Sequence, residues 1–302
     1  MPTTYEDLIP SSVVAQVVEA LRVQSATVAL GNVIQIPTGE ASVPILTEQP
    51  TASFVTPRYG GRKPLTQITW SAQRLVAEEI ALTLGIPDAY LDDAQVPIWT
   101  MIRPSLATAI AQTLDQAGFF GVDAPASYPV GGVAAAAQPP VGTTDKAADS
   151  LDAAMAANEQ SGLTPSGIAA NAIIRQALRA EARMQLVPVA TDIEYAYYGL
   201  PTVTLAPWDA AQGDAFVGDY ATCLLVGLRE DVVFETSTDG VLLDDTGAIA
   251  ISAFQDDTTL MRVRMRVGVA LGVPVGPDGN PTVPFKAAKW TPTAPLTSKS
   301  KA

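Results

Sequence analysis

The chain has 302 residues, 48% of them hydrophobic, and a formal net charge of -13 at pH 7; it can bury a substantial core but lacks the basic surface of a protein that binds nucleic acid or anionic membranes. It contains no histidine and one cysteine, Cys223, which excludes histidine-based catalytic triads, a disulfide framework within the chain and any cysteine metal cluster. No apolar run approaches the roughly 20 residues that span a bilayer and no secretory signal is recognisable, so we expect a protein made in the cytoplasm and not bound to a membrane.

The N-terminal part of the sequence predicts an arm. Ser11–Arg22 carries an apolar stripe typical of a short amphipathic helix. Thr27–Ile36 and Ala41–Leu46 are β-leaning segments that are closed by turn-prone residues. A lone helix and strand bury little surface by themselves, so we expect this arm to pack on another part of the structure.

A long hairpin is predicted between residues 47 and 84. Ala52–Thr56 and Leu65–Ala77 are strand-like and flank the turn-rich segment Pro57–Pro64, which is basic because of Arg58, Arg62 and Lys63. A hairpin of this length is marginal alone in water and needs a surface to lie on. An ordinary surface loop is the alternative interpretation.

The segment Leu91–Gly121 predicts one long helix. Asp92 and Asp93 suit its N-cap, Gly118 suits its end, and the interior Pro104 predicts a bend. Apolar residues recur along one face at spacings of three and four, namely Ile98, Ile102, Leu106, Ile110, Leu114 and Ala117.

The second half of the chain combines helices with strands. After a linker at 122–142, helices are expected over Asp145–Glu159 and from Thr164, its N-cap, to Ala182. Five strands are then predicted, at Thr202–Leu205, Thr222–Leu228, Val232–Glu235, Ala248–Phe254 and Thr258–Val273. This order indicates an α+β architecture and not alternating βαβ units.

The strand Leu260–Leu271 has the clearest alternation in the sequence. One face carries Met261, Val263, Met265 and Val267, so it must be buried, and the long helix is the natural element to cover it. The other face carries Arg262, Arg264 and Arg266. These arginines form either a solvated sheet face or an ion-pairing surface for another subunit, because arginine pairs bidentately with carboxylates.

The residues do not predict an enzyme. The adjacent carboxylate pairs do not build an acid–base dyad, because neighbours in a strand point to opposite faces. Asp244–Gly247 indicates a turn, and Cys223 lies in an apolar run as a buried small hydrophobe. We therefore predict no catalytic residue, no metal and no cofactor. A carboxylate-metal hydrolase using Asp244 and Asp245, or Asp256 and Asp257, is a remote alternative.

The order of these elements and several local motifs resemble the Hong Kong 97-type major capsid protein of tailed bacteriophages over roughly Thr27 to Phe285. The motifs that carry the resemblance are Leu163–Ile168 leading into Ala177–Arg179, Tyr198–Val203, Val217–Tyr220, Gly227–Asp231, and Phe254–Asp257 followed by the arginine-rich strand to Pro274.

The resemblance implies an α+β, Hong Kong 97-like capsid fold with an N-terminal arm, an extended loop hairpin, a spine helix, a peripheral domain and an axial domain. The implied divisions are an arm at 1–36, an extended loop at 37–86 with its tip near 57–64, a peripheral domain at 87–139 and 251–278, an axial domain at 140–250 and 279–292, and a mobile tail at 293–302.

The resemblance also implies a function. It implies a major capsid protein that self-assembles into pentamers and hexamers of an icosahedral shell enclosing double-stranded DNA without specific binding. The implied partners are other copies of itself, a separate scaffolding protein, a portal and a decoration protein, with no membrane. The protein would be made in the bacterial host cytoplasm and reside in the virion. An encapsulin-like nanocompartment shell is the alternative with the same fold.

Two sets of residues are expected to make contacts between subunits. Arg262, Arg264 and Arg266 should pair with carboxylates on a neighbour's loop or arm, for which the candidates are Glu78, Glu79, Glu40 and Glu48. Arg58, Arg62 and Lys63 should contact an acidic surface of an adjacent subunit.

Overall fold

The structure, a computed structural model, describes residues 24–46, 52, 54–55, 65, 68–93, 98–141, 143–180, 185–189, 192–244, 246–276 and 280–291. The predicted helix Ser11–Arg22, the tail at 293–302, and the loop-tip residues Arg58, Arg62 and Lys63 lie outside the described residues.

The described residues contain both helices and strands, which confirms the α+β prediction. The helices are α1 (Ala26–Leu30), α2 (Asp88–Asp93), α3 (Ile98–Asp115), α4 (Gly132–Ala136), α5 (Ala147–Gln160), α6 (Ala172–Ala180) and α7 (Tyr220–Cys223). The strands are β1 (Asn32–Gln35), β2 (Glu40–Leu46), β3 (Trp70–Val76), β4 (Glu78–Pro87), β5 (Thr143–Thr144), β6 (Gly167–Asn171), β7 (Gln185–Val189), β8 (Asp192–Tyr197), β9 (Leu200–Leu205), β10 (Ala215–Gly218), β11 (Leu224–Ser237), β12 (Val241–Leu243), β13 (Ile249–Ser252), β14 (Thr258–Leu271) and β15 (Phe285–Trp290).

Most of these strands belong to two sheets. A 4-stranded sheet has the order β1-β11-β14-β4, in which β1 runs parallel to β11 and the other pairs are antiparallel. A 7-stranded sheet has the order β5-β15-β10-β6-β9-β8-β7. Two separate hairpins, β2–β3 and β12–β13, complete the pairing. The division into peripheral and axial domains stays a prediction; β11, assigned by sequence to the axial part, pairs with β14 of the peripheral part.

The long hairpin uses a different first strand from the predicted one. The structure pairs Trp70–Val76 with Glu40–Leu46, whereas Ala52, Phe54 and Val55 form no strand. Ala41, Val43 and Ile45 alternate with exposed residues along β2, so this strand offers the continuous apolar face that the predicted segment lacks.

Helix and strand were assigned wrongly in two other places. The first part of the β-leaning segment Thr27–Ile36 is helical, since it belongs to the helix Ala26–Leu30. The side chain of Ser25 caps this helix by accepting a hydrogen bond from the backbone N–H of Val28. The helix predicted from Thr164 begins only at Ala172, because Gly167–Asn171 is a central strand between β10 and β9. The small residues of Gly167–Asn171 suit a crowded central strand, and a short buried strand of this kind cannot be told from a helix by periodicity alone.

The central helix differs from the prediction at both ends. Asp92 and Asp93 lie inside the helical segment α2, so they do not form an N-cap. Gly118 does not end the helix; α3 continues as a π-helix over Gln116–Phe120 and stops at Gly121, whose φ of 67° favours glycine. The wider π turn leaves both Phe119 and Phe120 buried.

The long helix covers the apolar face of β14, as expected. Leu106, Ile110 and Leu114 of α3 belong to the same buried cluster as Met261 and Val263 of β14. The π-helix then joins this cluster to the 7-stranded sheet through aromatic rings: Phe120 lies 5.2 Å from Trp208 and 6.0 Å from Phe216 of β10, between ring centroids. One core therefore spans both sheets.

A buried carboxylate attaches α1 to the end of α3. Asp115 accepts hydrogen bonds from the Ser25 hydroxyl at 2.8 Å, the Ala26 N–H at 3.0 Å, and the N–H and hydroxyl of Thr27 at 2.9 and 2.7 Å. Burial raises the pKa of Asp115, and the hydrogen bonds from Thr27, Ser25 and Ala26 oppose that rise. These four hydrogen bonds fix the start of α1 against the end of α3.

The aromatic junction makes a testable prediction. Phe120→Ala should lower the free energy of unfolding of the purified chain by about 3–5 kcal/mol, because it leaves a cavity where the two sheets meet. Phe254→Ala is the matched control, because Phe254 is 83% exposed and its loss should change stability by less than about 0.5 kcal/mol. Equal effects of the two substitutions in denaturant titrations would contradict the role of the junction.

Candidate intersubunit surface

The three arginines of β14 form one row on the open face of the 4-stranded sheet. Arg262 stands opposite Glu235 of β11, and Arg266 stands opposite Glu79 of β4. Arg264 lies between them, and the alternate residues from Met261 to Val269 are buried beneath the sheet. Strand register therefore brings Glu235 and Glu79 to the arginine row, and it also places Glu230 of β11 opposite Arg266.

The row is held by ion pairs within the subunit. Arg262 donates to Glu235 through Nε at 3.0 Å and also through Nη2. Nη2 of Arg264 lies 3.3 Å from the other oxygen of Glu235, and Nε and Nη2 of Arg266 lie 3.3 Å from Oε2 of Glu79. The side-chain hydrogen bond from Arg262 is the main cause that lowers the pKa of Glu235.

The central arginine of the row is incompletely paired among the described side chains. In this part of the subunit the carboxylate that Arg264 contacts is that of Glu235, which Arg262 already engages. The Nε atom of Arg264 is buried and has no hydrogen-bond acceptor among the described residues. The Arg264 side chain as a whole is 29% exposed, so a further carboxylate could bind the exposed part of this guanidinium, although not its buried Nε.

Two hairpins border this row and make it the floor of a trough, which we call the arginine trough (Arg262, Arg264, Arg266, Glu235 and Glu79). At one end Leu260 is buried by the β12–β13 hairpin, where a cavity of about 290 Å³ is lined by Glu235, Arg262, Leu242 and their neighbours. At the other end the β2–β3 hairpin covers Gly268 and Ala270.

The trough is wide enough for an extended segment to cross it. Arg262 and Arg266 are four residues apart on β14, which is about 14 Å at roughly 3.4 Å per residue, whereas neighbouring strands lie only about 4.8 Å apart.

The candidate acidic residues have separate places in the subunit. Glu79 contacts Arg266, Glu78 accepts a hydrogen bond from the Ser127 hydroxyl at 2.6 Å, and Glu40 pairs with Arg74 on the β2–β3 hairpin. Glu48, Arg58, Arg62 and Lys63 lie outside the described residues. Pairing with carboxylates of a neighbouring subunit thus stays a prediction.

Sequence reasoning missed Glu235 and the apolar side chains around the loop. Glu235 could not be chosen because the register of β11 against β14 is not encoded in either strand alone. Phe54 and Leu65 are almost fully exposed, and Ile68 and Trp70 are at least half exposed. Large apolar side chains concentrated at one end of a hairpin are typical of an interaction surface, and their sequence signal was the apolar content of a turn-rich segment.

The predicted turn at Asp244–Gly247 is confirmed. The Asp244 carboxylate accepts hydrogen bonds from the N–H and hydroxyl of Thr246, at 2.9 and 2.6 Å, and from the N–H of Ala248 at 2.9 Å, and Gly247 has a φ of 82°. These bonds, led by that from the Thr246 hydroxyl, lower the pKa of Asp244. The carboxylate thus serves the turn.

The described part of the chain offers few groups for metal binding or thiol chemistry. Its residues contain no group of three His, Cys, Asp or Glu side chains able to hold a metal ion. None of its helices is long and apolar enough to cross a membrane. Cys223 is buried as predicted, and burial together with the charge of Asp219 raises the pKa of its thiol to about 12.

Comparison with known proteins finds phage relatives. The sequence profile of the phage capsid family matches residues 6–274. The chain is similar to a solved structure from Microbacterium phage Oxtober96, with 26% identity, a TM-score of 0.70, and coverage of 89% of this chain and 91% of that chain. It is also similar to a structure from Mycobacterium phage Adephagia, with 21% identity, a TM-score of 0.71, and coverage of 98% and 96%.

A more distant structure shares the fold. The capsid of an empty GTA particle has a TM-score of 0.57 at 14% identity, with coverage of 89% of this chain and 90% of that chain. Comparison with curated proteins found no match.

The ion pairs predict a pH dependence. Because the folded pKa of Glu235 is lowered below its ordinary value of 4.5, its contribution to stability should be present above that value and lost as pH falls through the folded pKa. Carboxyl NMR titration should give a pKa below 4.5 for Glu235, and Arg262→Gln should raise it. Arg74→Gln, on the separate hairpin, is the control and should leave it unchanged. An unaltered pKa in Arg262→Gln would contradict the pairing.

Proposed function

The chain belongs to the phage capsid family, and from this membership we propose that it forms the pentamers and hexamers of an icosahedral shell around the double-stranded DNA of a tailed bacteriophage. The family is one of structural shell subunits that reside in the virion, and the fold is Hong Kong 97-like. Family and fold favour this function over an encapsulin-like nanocompartment and over a carboxylate-metal hydrolase.

The arginine trough is the structural observation that supports this proposal, because it offers a contact site for a neighbouring copy. Its central guanidinium is incompletely paired within the subunit, and its width suits an extended segment. We propose that the segment is part of the loop or arm of a neighbouring copy, which supplies the missing carboxylate. Glu48 is the candidate whose chain position lies on such a segment. Glu40 lies beside it but is paired with Arg74 in its own subunit. Glu79 already serves the trough of its own subunit, and Glu78 is bonded to Ser127.

The loop at 47–69 is proposed to make the reciprocal contact. Arg58, Arg62 and Lys63 give it three positive charges in an otherwise acidic chain, and the flanking apolar side chains are exposed in the subunit. An adjacent copy with a net charge of -13 offers an acidic surface for these cations, and its contact would remove the apolar side chains from water. Burial of this kind would stabilise a loop that is too long to hold itself.

The remaining assignments complete the proposal. The 4-stranded sheet with α3 would form the peripheral domain, and the 7-stranded sheet would form the axial domain around the pentamer or hexamer axis. The subunit would be made in the host cytoplasm and would meet a separate scaffolding protein, a portal and a decoration protein. Its acidic balance suits a shell that encloses DNA without binding it specifically.

Charge reversal at the centre of the trough tests the proposal. Arg264→Glu should weaken subunit association about tenfold or more, because a contact with a partly buried charged group is lost and a like charge replaces it. Shell yield would be measured by sedimentation and electron microscopy, with thermal unfolding of the unassembled subunit as the check on folding. Lys146→Glu, at the exposed N-cap of α5 beside the 7-stranded sheet, is the matched control. Undiminished assembly of Arg264→Glu would refute the trough contact.

Deletion of residues 58–63 tests the loop. The deletion should leave free capsomers or monomers, because the loop loses both its reach and its charges. The variant Arg58→Gln/Arg62→Gln/Lys63→Gln keeps the length and separates the two causes. Intact shells formed at normal yield by the deletion variant would rule out the loop contact.

A further inference from the structure

We propose that Gly227 and Gly268 form a socket for Leu75 that sets the direction in which the 47–69 loop leaves the subunit. These three residues, together with Ile36, are called the positioning socket. The inference rests on the proposed function in one respect, since it concerns the aim of a loop that is proposed to reach a neighbouring copy. None of these residues touches that copy; they act through the hairpin stem.

The two glycines create a depression in the sheet. Gly227 of β11 and Gly268 of β14 are directly opposite each other in the antiparallel register. Gly268 lies on the same face of β14 as the arginine row, two residues beyond Arg266. Glycine weakens a strand interior relative to alanine, so two paired glycines are a cost to the sheet that calls for a compensating contact.

That contact is the stem of the β2–β3 hairpin. A Cβ atom on Gly227 would lie 2.3 Å from Cδ2 of Leu75 and 2.4 Å from Cδ1 of Ile36. A Cβ atom on Gly268 would lie 2.4 Å from the backbone oxygen of Val76. Real Cβ atoms do not approach other atoms this closely. At Gly268 the obstacle is backbone, so the stem sits at a depth that only glycine permits, whereas at Gly227 the buried side-chain ends of Leu75 and Ile36 would have to shift.

The stem is also fixed sideways. Leu75 is 1% exposed and shares a buried cluster with Ile36, Leu225 and Ala270, separate from the main core. On the other strand of the hairpin, Ile45 approaches Gly272, where a Cβ atom would lie 2.9 Å from its Cδ1. Both strands of the stem therefore pack on the sheet of their own subunit, so the two strand ends that flank residues 47–69 have a fixed base.

Small changes at this base are magnified at the loop. Trp70, the first residue of β3 after the loop, is five residues from Leu75, which is about 17 Å of strand. A tilt of about 10° at the socket would move that end by about 3 Å, and the loop tip by more. A displacement of this size separates charged groups that are in hydrogen-bond contact. The socket therefore controls whether the loop meets its target on the neighbour.

The direction of the hairpin can be measured directly. Spin labels on Ser71→Cys, on β3, and Ala250→Cys, on β13, report the distance between the two hairpins by pulsed electron paramagnetic resonance; buried Cys223 stays unlabelled. Gly268→Ala should shift the distance distribution by about 3 Å or broaden it, and lower shell yield about tenfold. Gly39→Ala is the matched control, since the nearest atom to its Cβ would be Nη1 of Arg229 at 4.0 Å. An unchanged distribution in Gly268→Ala would overturn the socket.

A rescue variant separates positioning from general stability. Gly227→Ala alone should misdirect the loop, whereas adding Leu75→Val and Ile36→Val removes both clashing Cδ atoms and should restore the distance distribution and shell yield. If the triple variant were worse than Gly227→Ala, the socket would act only through stability and the inference would fail. A redirected hairpin with undiminished assembly would leave the socket standing and contradict the loop contact under the proposed function instead.

Discussion

The carboxylate of Asp115 is the interaction on which the arrangement of the described N-terminal segment depends. It satisfies the donors at the start of α1, which would otherwise be buried without partners at a cost of about 1–3 kcal/mol each. Because α1 leads directly into β1, and β1 pairs with β11, the same bonds determine where the edge of the 4-stranded sheet begins. The first strand of the β2–β3 hairpin follows β1 directly in the chain, so the position of β1 also determines where this hairpin begins.

Asp115 is also the last residue of α3, and the π-helix that follows carries Phe119 and Phe120 toward the 7-stranded sheet. The end of the long helix therefore meets three parts of the subunit: the N-terminal segment, the 4-stranded sheet and the aromatic junction. Because α3 and the π-helix contact both sheets, they fix the position of the 4-stranded sheet relative to the 7-stranded sheet.

Strand β14 combines three tasks in one alternating sequence. Its inward residues form the core under α3, its outward arginines form the trough, and Gly268 admits the hairpin stem. Any shift of one residue in its register would place arginines in the core and methionines in the trough. The core packing thus secures the assembly surface on the opposite side of the sheet.

Local sequence patterns predicted the elements whose buried and exposed faces differ in composition, and the turn that is closed by its own residues. The alternation of β14, the apolar stripe of α3 and the Asp244 turn each follow from a few neighbouring residues. Three features did not follow. The partner of β3 depends on β2 presenting a matching apolar face, β6 is a strand because β10 and β9 flank it, and Glu235 meets Arg262 only through register. Each depends on residues far away in the chain.

The pairing of β4 with β14 has a consequence for how the subunit is made. Pro87 is paired with Thr258, so the N-terminal strand, the hairpin stem and α3 must wait for a strand near the other end of the chain. At about 5–20 residues per second, a ribosome needs roughly 10–35 s to supply it. The 4-stranded sheet therefore closes only after β14 has been translated, and the unpaired edges of the nascent chain must be kept from other chains until then.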